Sequence, residues 1–272
     1  MRKPIIRELL KERDIIVGGC QQILDPLVTE CIAQSGVDFV FMDLEHTGRS
    51  IDALQCCFLA AAAANVATLV RVRDIRQDLI EQALDAGAQG IIVPTVETVE
   101  QCELVASAGR FPPEGTRGWC PVVPPMRWMN DYNPATWAQD ANRDVFLGVL
   151  IETPLAFKNL PELVKVKGID FYFLGPGDCS IHMGKSSPWD PEITEMCMAA
   201  ADTISAAGKV CMPLARQEDV AEYYSHGARM FLTTAQDTTV LREANAQSME
   251  AVFKAIGKSS GKKVQPDALG LK

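Results

Sequence analysis

Eight short runs rich in Val, Ile, Leu and Phe recur along this chain, at 15–19, 39–46, 67–73, 90–97, 145–152, 171–178, 210–215 and 230–237. Each is too short for a core helix and too continuously apolar for a strand with one wet face, which predicts strands buried on both faces. Between them stand stretches with helical spacing of apolar residues, among them 27–36, 78–87, 100–109, 193–208 and 219–227, each closing on glycine. Glycine takes the left-handed conformation that ends many helices. Parallel strands joined by right-handed helical crossovers make an open doubly wound sheet or a closed barrel, and eight near-equal units favour closure. The expected fold class is α/β, a (β/α)8 TIM barrel. Residues 1–257 read as one barrel domain, and 258–272, small, basic and proline-containing, as a flexible tail.

Charge and thiol content narrow the partners. Lys plus Arg number 26 against 35 Asp plus Glu, a formal charge of −9, which repels nucleic-acid backbones and anionic lipid. The longest apolar run, Cys56 to Ala64, is far short of the roughly 20 residues a membrane span needs. The opening residues show no secretory signal pattern. Nine cysteines without C-x-x-C spacing fit reduced thiols and a cytoplasmic location.

In a barrel the reactive groups gather at the C-terminal strand ends, where the loops share one concave face. Those ends are polar here: Asp43, Glu45 and His46 after the second run, Arg71 and Arg73 in the third, Glu152 closing the fifth and Gly175 to Asp178 closing the sixth. Glu152 and Asp178 on neighbouring strands would repel, and a hard divalent cation such as Mg²⁺ or Mn²⁺ removes that conflict and can chelate a 2-oxo acid; the alternative is that each merely caps a helix or pairs with a lysine. Arg71 is suited to holding an enolate oxyanion, or to a structural ion pair with Asp43 or Glu45. His46 is the best candidate for a general base, although a lone histidine is commonly structural. His182 falls at most in a supporting place near Asp178, and His226 reads as a helix-terminal cation. Gly177 and Asp178 offer backbone amides to a bound carboxylate, or form an ordinary turn. Residues 110–144 exceed the usual connection length, and Trp119, Trp128 and Trp137 within them are expected to anchor the segment or to close a lid over the bowl.

Taken together, FMDLEH at 41–46, LVRVR at 69–73, LDAGAQGIIVPTVET at 84–98, IET at 151–153 and FLGPGDCSIHMG at 173–184 resemble the HpcH/HpaI class II, metal-dependent pyruvate aldolases, the 4-hydroxy-2-oxoheptanedioate aldolase type. The resemblance implies metal ligation by Glu152 and Asp178, enolate stabilisation by Arg71, and His46 as base, with Asp85 orienting the histidine of a neighbouring subunit. It also implies a homo-oligomer, a hexamer or trimer, with a C-terminal helix exchangeable between subunits. Leu150 stands where many relatives have glutamine, and Trp119 and Cys120 replace a small residue and a glycine after Arg117 and Gly118. Both departures bear on the aldehyde pocket, which includes Trp119.

The expected activity is metal-dependent cleavage of a 4-hydroxy-2-oxo acid to pyruvate and an aldehyde, with Mg²⁺ or Mn²⁺ as cofactor and Co²⁺ or Zn²⁺ as further options. Arg71→Ala is expected to cripple turnover and leave the fold alone. Alternatives are an oxaloacetate-type decarboxylase of the macrophomate synthase kind, and a non-catalytic barrel that binds a 2-oxo acid.

Overall fold

The computed structural model describes residues 5–125, 133 and 135–261. Trp128 and residues 262–272 of the expected tail lie outside them. Eight parallel strands appear in the described residues at the expected runs: β1 (Ile16–Gln21), β2 (Phe39–Asp43), β3 (Ala67–Arg71), β4 (Gly90–Val93), β5 (Phe146–Ile151), β6 (Phe171–Leu174), β7 (Val210–Pro213) and β8 (Met230–Gln236). They form one sheet in the order β7-β6-β5-β4-β3-β2-β1-β8. Seven junctions carry parallel ladders; between the two ends of the order, Arg229 N donates to Cys211 O at 3.2 Å.

The helices are α1 (Ile6–Glu12), α2 (Pro26–Gln34), α3 (Ile51–Ala63), α4 (Gln77–Ala86), α5 (Val99–Ala108), α6 (Trp137–Asp144), α7 (Pro154–Leu163), α8 (Pro176–His182), α9 (Pro191–Ala206), α10 (Val220–Ser225) and α11 (Asp237–Ala255). Several open as their sequences dictate. Asp25, Thr153 and Asp190 each cap a following Pro-led helix by accepting a backbone N–H, and Thr98 forms a reciprocal capping box with Gln101.

Side chains alternate across each strand and so build two cores. One face of the sheet packs on the helices through residues such as Val40, Val70, Ile91, Val149, Tyr172 and Cys211. The other faces inward, and Ile16, Phe39, Leu69, Ile92, Phe146, Phe171, Met212 and Met230, one from each strand, pack into a single cluster with Ile6 of α1. Only a curled sheet brings one face of all eight strands together. Glycine makes room for the large rings inside: a Cβ on Gly148 would lie 2.2 Å from the Phe171 ring.

All the strands but β1 end earlier than the apolar runs. After Asp43 the carboxylate accepts from Glu45 N at 2.9 Å, and its carbonyl accepts from Thr47 Oγ1 at 2.8 Å, so the chain turns away from the ladder. After Leu174 the residues Gly-Pro-Gly-Asp are the N-cap and first turn of α8, a helix start rather than a free turn.

No helix among the described residues is long and apolar enough to cross a membrane. All nine cysteines are free thiols.

Candidate active site

The alternation that fills the interior also determines what emerges at its C-terminal mouth. Inward residues on β2 are Phe39 and Phe41, and Asp43 is next in phase. On β3, Ala67 and Leu69 lead to Arg71; on β5, Phe146 and Leu150 lead to Glu152; on β6, Phe171 and Phe173 lead to Gly175. Two pairs of neighbouring strand ends, β2 with β3 and β5 with β6, flank β4 and therefore converge without any loop having to place them.

Arg71 is locked by acids. Its Nε donates to Asp43 Oδ1 at 2.9 Å and its Nη2 to Asp43 Oδ2 at 2.8 Å, while Nη1 lies 2.9 Å from Glu45 Oε2. A planar fork on a carboxylate fixes the guanidinium and leaves further N–H groups for an incoming oxyanion. Both sequence readings of Arg71 are thus compatible. The expectation that Arg71→Ala would spare the fold needs correction, because Asp43 is 0% exposed and would be left as an unpaired buried charge.

Glu152 is buried, and Thr95 grips one of its oxygens: Oε1 accepts from Thr95 N at 2.8 Å and from Thr95 Oγ1 at 3.0 Å. Oε2 accepts no bond among the described residues. Gly175 leaves the space beside it, since a Cβ there would meet Glu152 Cβ and Leu150 Cδ1 at 3.0 Å and Glu152 Oε2 at 3.5 Å. Burial pushes the Glu152 carboxyl up to about 7, against the two bonds from Thr95, and the negative charges of Glu45 and Asp178 push the same way. Glu45 is raised by burial too, with Arg71 opposing and Asp43 and Asp178 adding to the rise. Its buried Oε2 has no aligned hydrogen bond, although Arg71 Nη1 and His46 Nε2 lie 2.9 Å and 3.4 Å away.

Asp178 projects from the first turn of α8, one residue after Gly177, and is exposed. The His46 side chain is 59% exposed beside Glu45. His182 turns its Nδ1 to the Asp178 carbonyl oxygen at 2.8 Å, and His226 sits 2.9 Å from Asp202 at the end of α10.

The mouth therefore holds the acids Asp43, Glu45, Glu152 and Asp178 around one fixed guanidinium. Among the described residues no cluster of three or more His, Cys, Asp or Glu forms a ready metal cage. Hard carboxylates, a free Oε2 and the clearance at Gly175 fit a divalent cation that takes two protein ligands and fills its remaining positions from water or a chelating ligand.

Asp85 and Trp119 lie elsewhere. Asp85 Oδ1 accepts from Arg117 Nη2 at 2.6 Å, and Arg117 stacks over Phe111. These residues line a cavity of about 480 Å³ with Gly87, Gln89 and Val145, which precede β4 and β5. Trp137 lines it as well and stands 6.2 Å from Trp119, centroid to centroid. The cavity is thus at the N-terminal strand ends, opposite Glu152. A lid over the bowl of its own chain is corrected for Trp119 and Trp137: residues 110–136 connect the end of α5 to α6 and β5, and a helix-to-strand connection returns to the start of the next strand. Thr95 was missed by sequence reasoning, because nothing about a threonine after proline signals a grip on the next strand's carboxylate.

A family model for HpcH/HpaI aldolase/citrate lyase matches residues 23–244. The chain belongs to the HpcH/HpaI aldolase/citrate lyase family. It is 32% identical over 251 residues to a 2-keto-3-deoxy-L-rhamnonate aldolase of Shigella sonnei, covering 92% of each chain, with the same identity and coverage for that of Escherichia coli strain K12. Among solved structures, the HpcH/HpaI aldolase of Desulfitobacterium hafniense DCB-2 superposes with a TM-score of 0.85 at 23% identity, covering 96% of this chain and 99% of that one. The citrate synthase SbnG superposes with a TM-score of 0.83 at 28% identity, covering 94% and 99%. Membership in this HpcH/HpaI family makes the chain an enzyme of the aldolase type of lyase.

Proposed function

We propose that this HpcH/HpaI enzyme is a metal-dependent class II pyruvate aldolase that cleaves a 4-hydroxy-2-oxo acid to pyruvate and an aldehyde, or joins them in reverse. The observation that carries the reading is Glu152: a carboxylate with Oε1 fully engaged and Oε2 unengaged, whose burial, with the nearby charges of Glu45 and Asp178 adding, pushes its proton affinity up to about 7. A group in that state is suited to a cation. Glu152 and Asp178 would hold it, and Mg²⁺ or Mn²⁺ suits the all-oxygen donors. When bound, it supplies Lewis-acid polarisation of the 2-oxo group and charge neutralisation.

The chain's own residues then do the following. Arg71, held by Asp43 and Glu45, aims its remaining N–H groups at the C2 oxygen. The Gly177 and Asp178 amides at the start of α8 receive the substrate carboxylate. His46, at the rim, takes the proton of the C4 hydroxyl; the C3–C4 bond breaks, the aldehyde leaves, and the electron pair becomes the pyruvate enolate. Return of a proton to C3 gives pyruvate.

The sheet is read as a closed barrel, supported by the bond from Arg229 to Cys211, and residues 1–257 as its single domain. The assembly is proposed to be a homo-oligomer of trimeric or hexameric order. Helix α11 has no buried residue and leaves Val240, Leu241 and Val252 exposed, with Ile256 exposed just after it, as a helix exchanged with a second copy would. Asp85 and Trp119 would then serve the bowl of a neighbouring copy. Nine free thiols support a cytoplasmic setting.

The test is exchange of the pyruvate methyl protons in deuterated water, followed by NMR. Exchange that disappears with chelator and returns with Mg²⁺ or Mn²⁺ supports the reading. Absence of exchange under all these conditions contradicts it, and release of CO₂ from oxaloacetate without aldehyde from any 4-hydroxy-2-oxo acid would reassign the enzyme as a decarboxylase.

A further inference from the structure

Thr95 is one of two non-glycine residues with positive φ among the described residues, at +55°. For a β-branched side chain that conformation is strained and persists only where the surroundings enforce it. The surroundings here do. Pro94 and Val96 on either side are buried. The loop that follows is fastened to the N-cap and body of α7, which begins after Glu152: Thr153 Oγ1 donates to Glu97 Oε1 at 2.6 Å and Asn159 Nδ2 donates to the Glu97 carbonyl at 2.9 Å. Gln101 Oε1 accepts from Glu97 N at 2.7 Å and Thr98 N at 3.0 Å.

The strained turn has one geometric result. It points the Thr95 N–H and hydroxyl in the same direction, and both land on Glu152 Oε1. No other neighbour bonds the carboxylate: Leu150 is apolar, Gly175 has no side chain and spends its N–H on the Ile151 carbonyl, and Arg71, turned to Asp43 and Glu45, acts on it through charge alone. Asp178 and Glu45 act on it only by repulsion.

We propose that Thr95 is the positioning residue of the metal centre: by saturating Oε1 with two donors it leaves Oε2 as the single, fixed oxygen that Glu152 presents to a divalent cation. The inference rests on the reading of Glu152 and Asp178 as metal ligands. It adds a consequence which that reading lacks. A carboxylate restricted to one oxygen suits a small cation with strict octahedral geometry, whereas a carboxylate free to rotate and bind through both oxygens suits Ca²⁺. Thr95 thus sets the preference for Mg²⁺ and Mn²⁺ over Ca²⁺.

The experiment needs no substrate. Mn²⁺ binding to the full chain is followed by the paramagnetic resonance signal of the free ion, and Mg²⁺ and Ca²⁺ by competition. Thr95→Ser keeps both donors and should bind like the wild type. Thr95→Val removes the hydroxyl donor and should weaken Mn²⁺ and Mg²⁺ by about 10-fold, within the usual range for a residue that orients a ligand, while Ca²⁺ binding stays within about twofold or tightens. Thr95→Gly also lacks the hydroxyl but relieves the positive φ, so it guards against a misfolded valine variant: it should melt no lower than wild type and show the same shift in preference. Equal loss of all three ions in both variants, or none, overturns the role of Thr95. If Glu152→Gln binds Mn²⁺ as tightly as wild type, the metal-ligand reading itself fails, whatever the Thr95 variants do.

Discussion

The two ends of the sheet treat charge in opposite ways. At the N-terminal ends, Asp170 lies 2.6 Å from Arg7 and 3.2 Å from Arg110 and accepts from Leu147 N at 2.9 Å. Arg7 continues to the Val145 carbonyl, Arg110 to that of Gly168, and Lys209 to that of Ile169. Each of these four charges has a partner of opposite sign or a carbonyl. At the C-terminal ends the acids Asp43, Glu45, Glu152 and Asp178 surround the guanidinium of Arg71, and Glu152 is held in a state that disfavours its own ionisation. The Asp170 cluster is built to be satisfied. The C-terminal end carries an excess of acid that the proposed divalent cation would neutralise, a pattern expected where function outweighs local stability.

Removing the proposed cation should have the largest effect. Chelation, or Glu152→Gln, is expected to lower pyruvate proton exchange by at least about 10³-fold, the combined loss of Lewis-acid and oxyanion stabilisation, while Asp170→Asn at the other end leaves exchange within about twofold. Equal damage from both would erase the contrast.

Next in size is Arg71→Lys, which keeps charge but not the fork on Asp43; exchange should fall about 10²-fold. Arg71→Ala should also lower the melting temperature, since losing one partner of a buried pair costs about 3 kcal/mol.

Stability should then move in opposite directions at the two ends. Asp170→Asn is expected to destabilise by about 3 kcal/mol in denaturant titrations, because Arg7 and Arg110 lose their anion. Glu152→Gln should stabilise the metal-free protein above pH 7. The sign follows from the raised carboxyl: between its ordinary value of 4.5 and about 7 the folded state binds the proton more tightly than the unfolded one, so wild-type stability falls as pH rises through that window. The glutamine variant should lack this fall, opening a gap of about 3 kcal/mol by pH 8 that closes towards pH 4. A variant less stable than wild type at pH 8 would show that the carboxylate is already compensated. The smallest effect overall is assigned to His182→Ala, under about twofold on exchange with little change in stability, since that ring faces its own helix.

How much of this was legible in the sequence follows from the period of a strand. Apolar runs located all eight strands, because strands buried on both faces need little else. Arg71, Glu152 and Asp178 were visible as polar endings to those runs. Asp43 and Glu45 were visible as alternative ion-pair partners of Arg71; that Asp43 takes the fork depends on the register between β2 and β3, which pairs Asp43 with Arg71. Two things were hidden. The tryptophan-rich segment was open to two readings, an anchor for the segment or a lid over the bowl, although its place after a helix and before a strand assigns Trp119 and Trp137 to the other end. Thr95 gave no signal, because its backbone conformation is one its residue type disfavours and is imposed by the packing of Val96 and the ties from Thr153 and Asn159.

The central claim is that the surplus of acid at one mouth of the sheet exists to hold one cation. Crystals soaked in Mn²⁺ and measured at the manganese absorption edge test it most directly. The account predicts a single anomalous peak within ligand distance of Glu152 Oε2 and the Asp178 carboxylate, with Thr95 still bonded to Oε1. No peak there, or those two side chains turned away from each other, would contradict it.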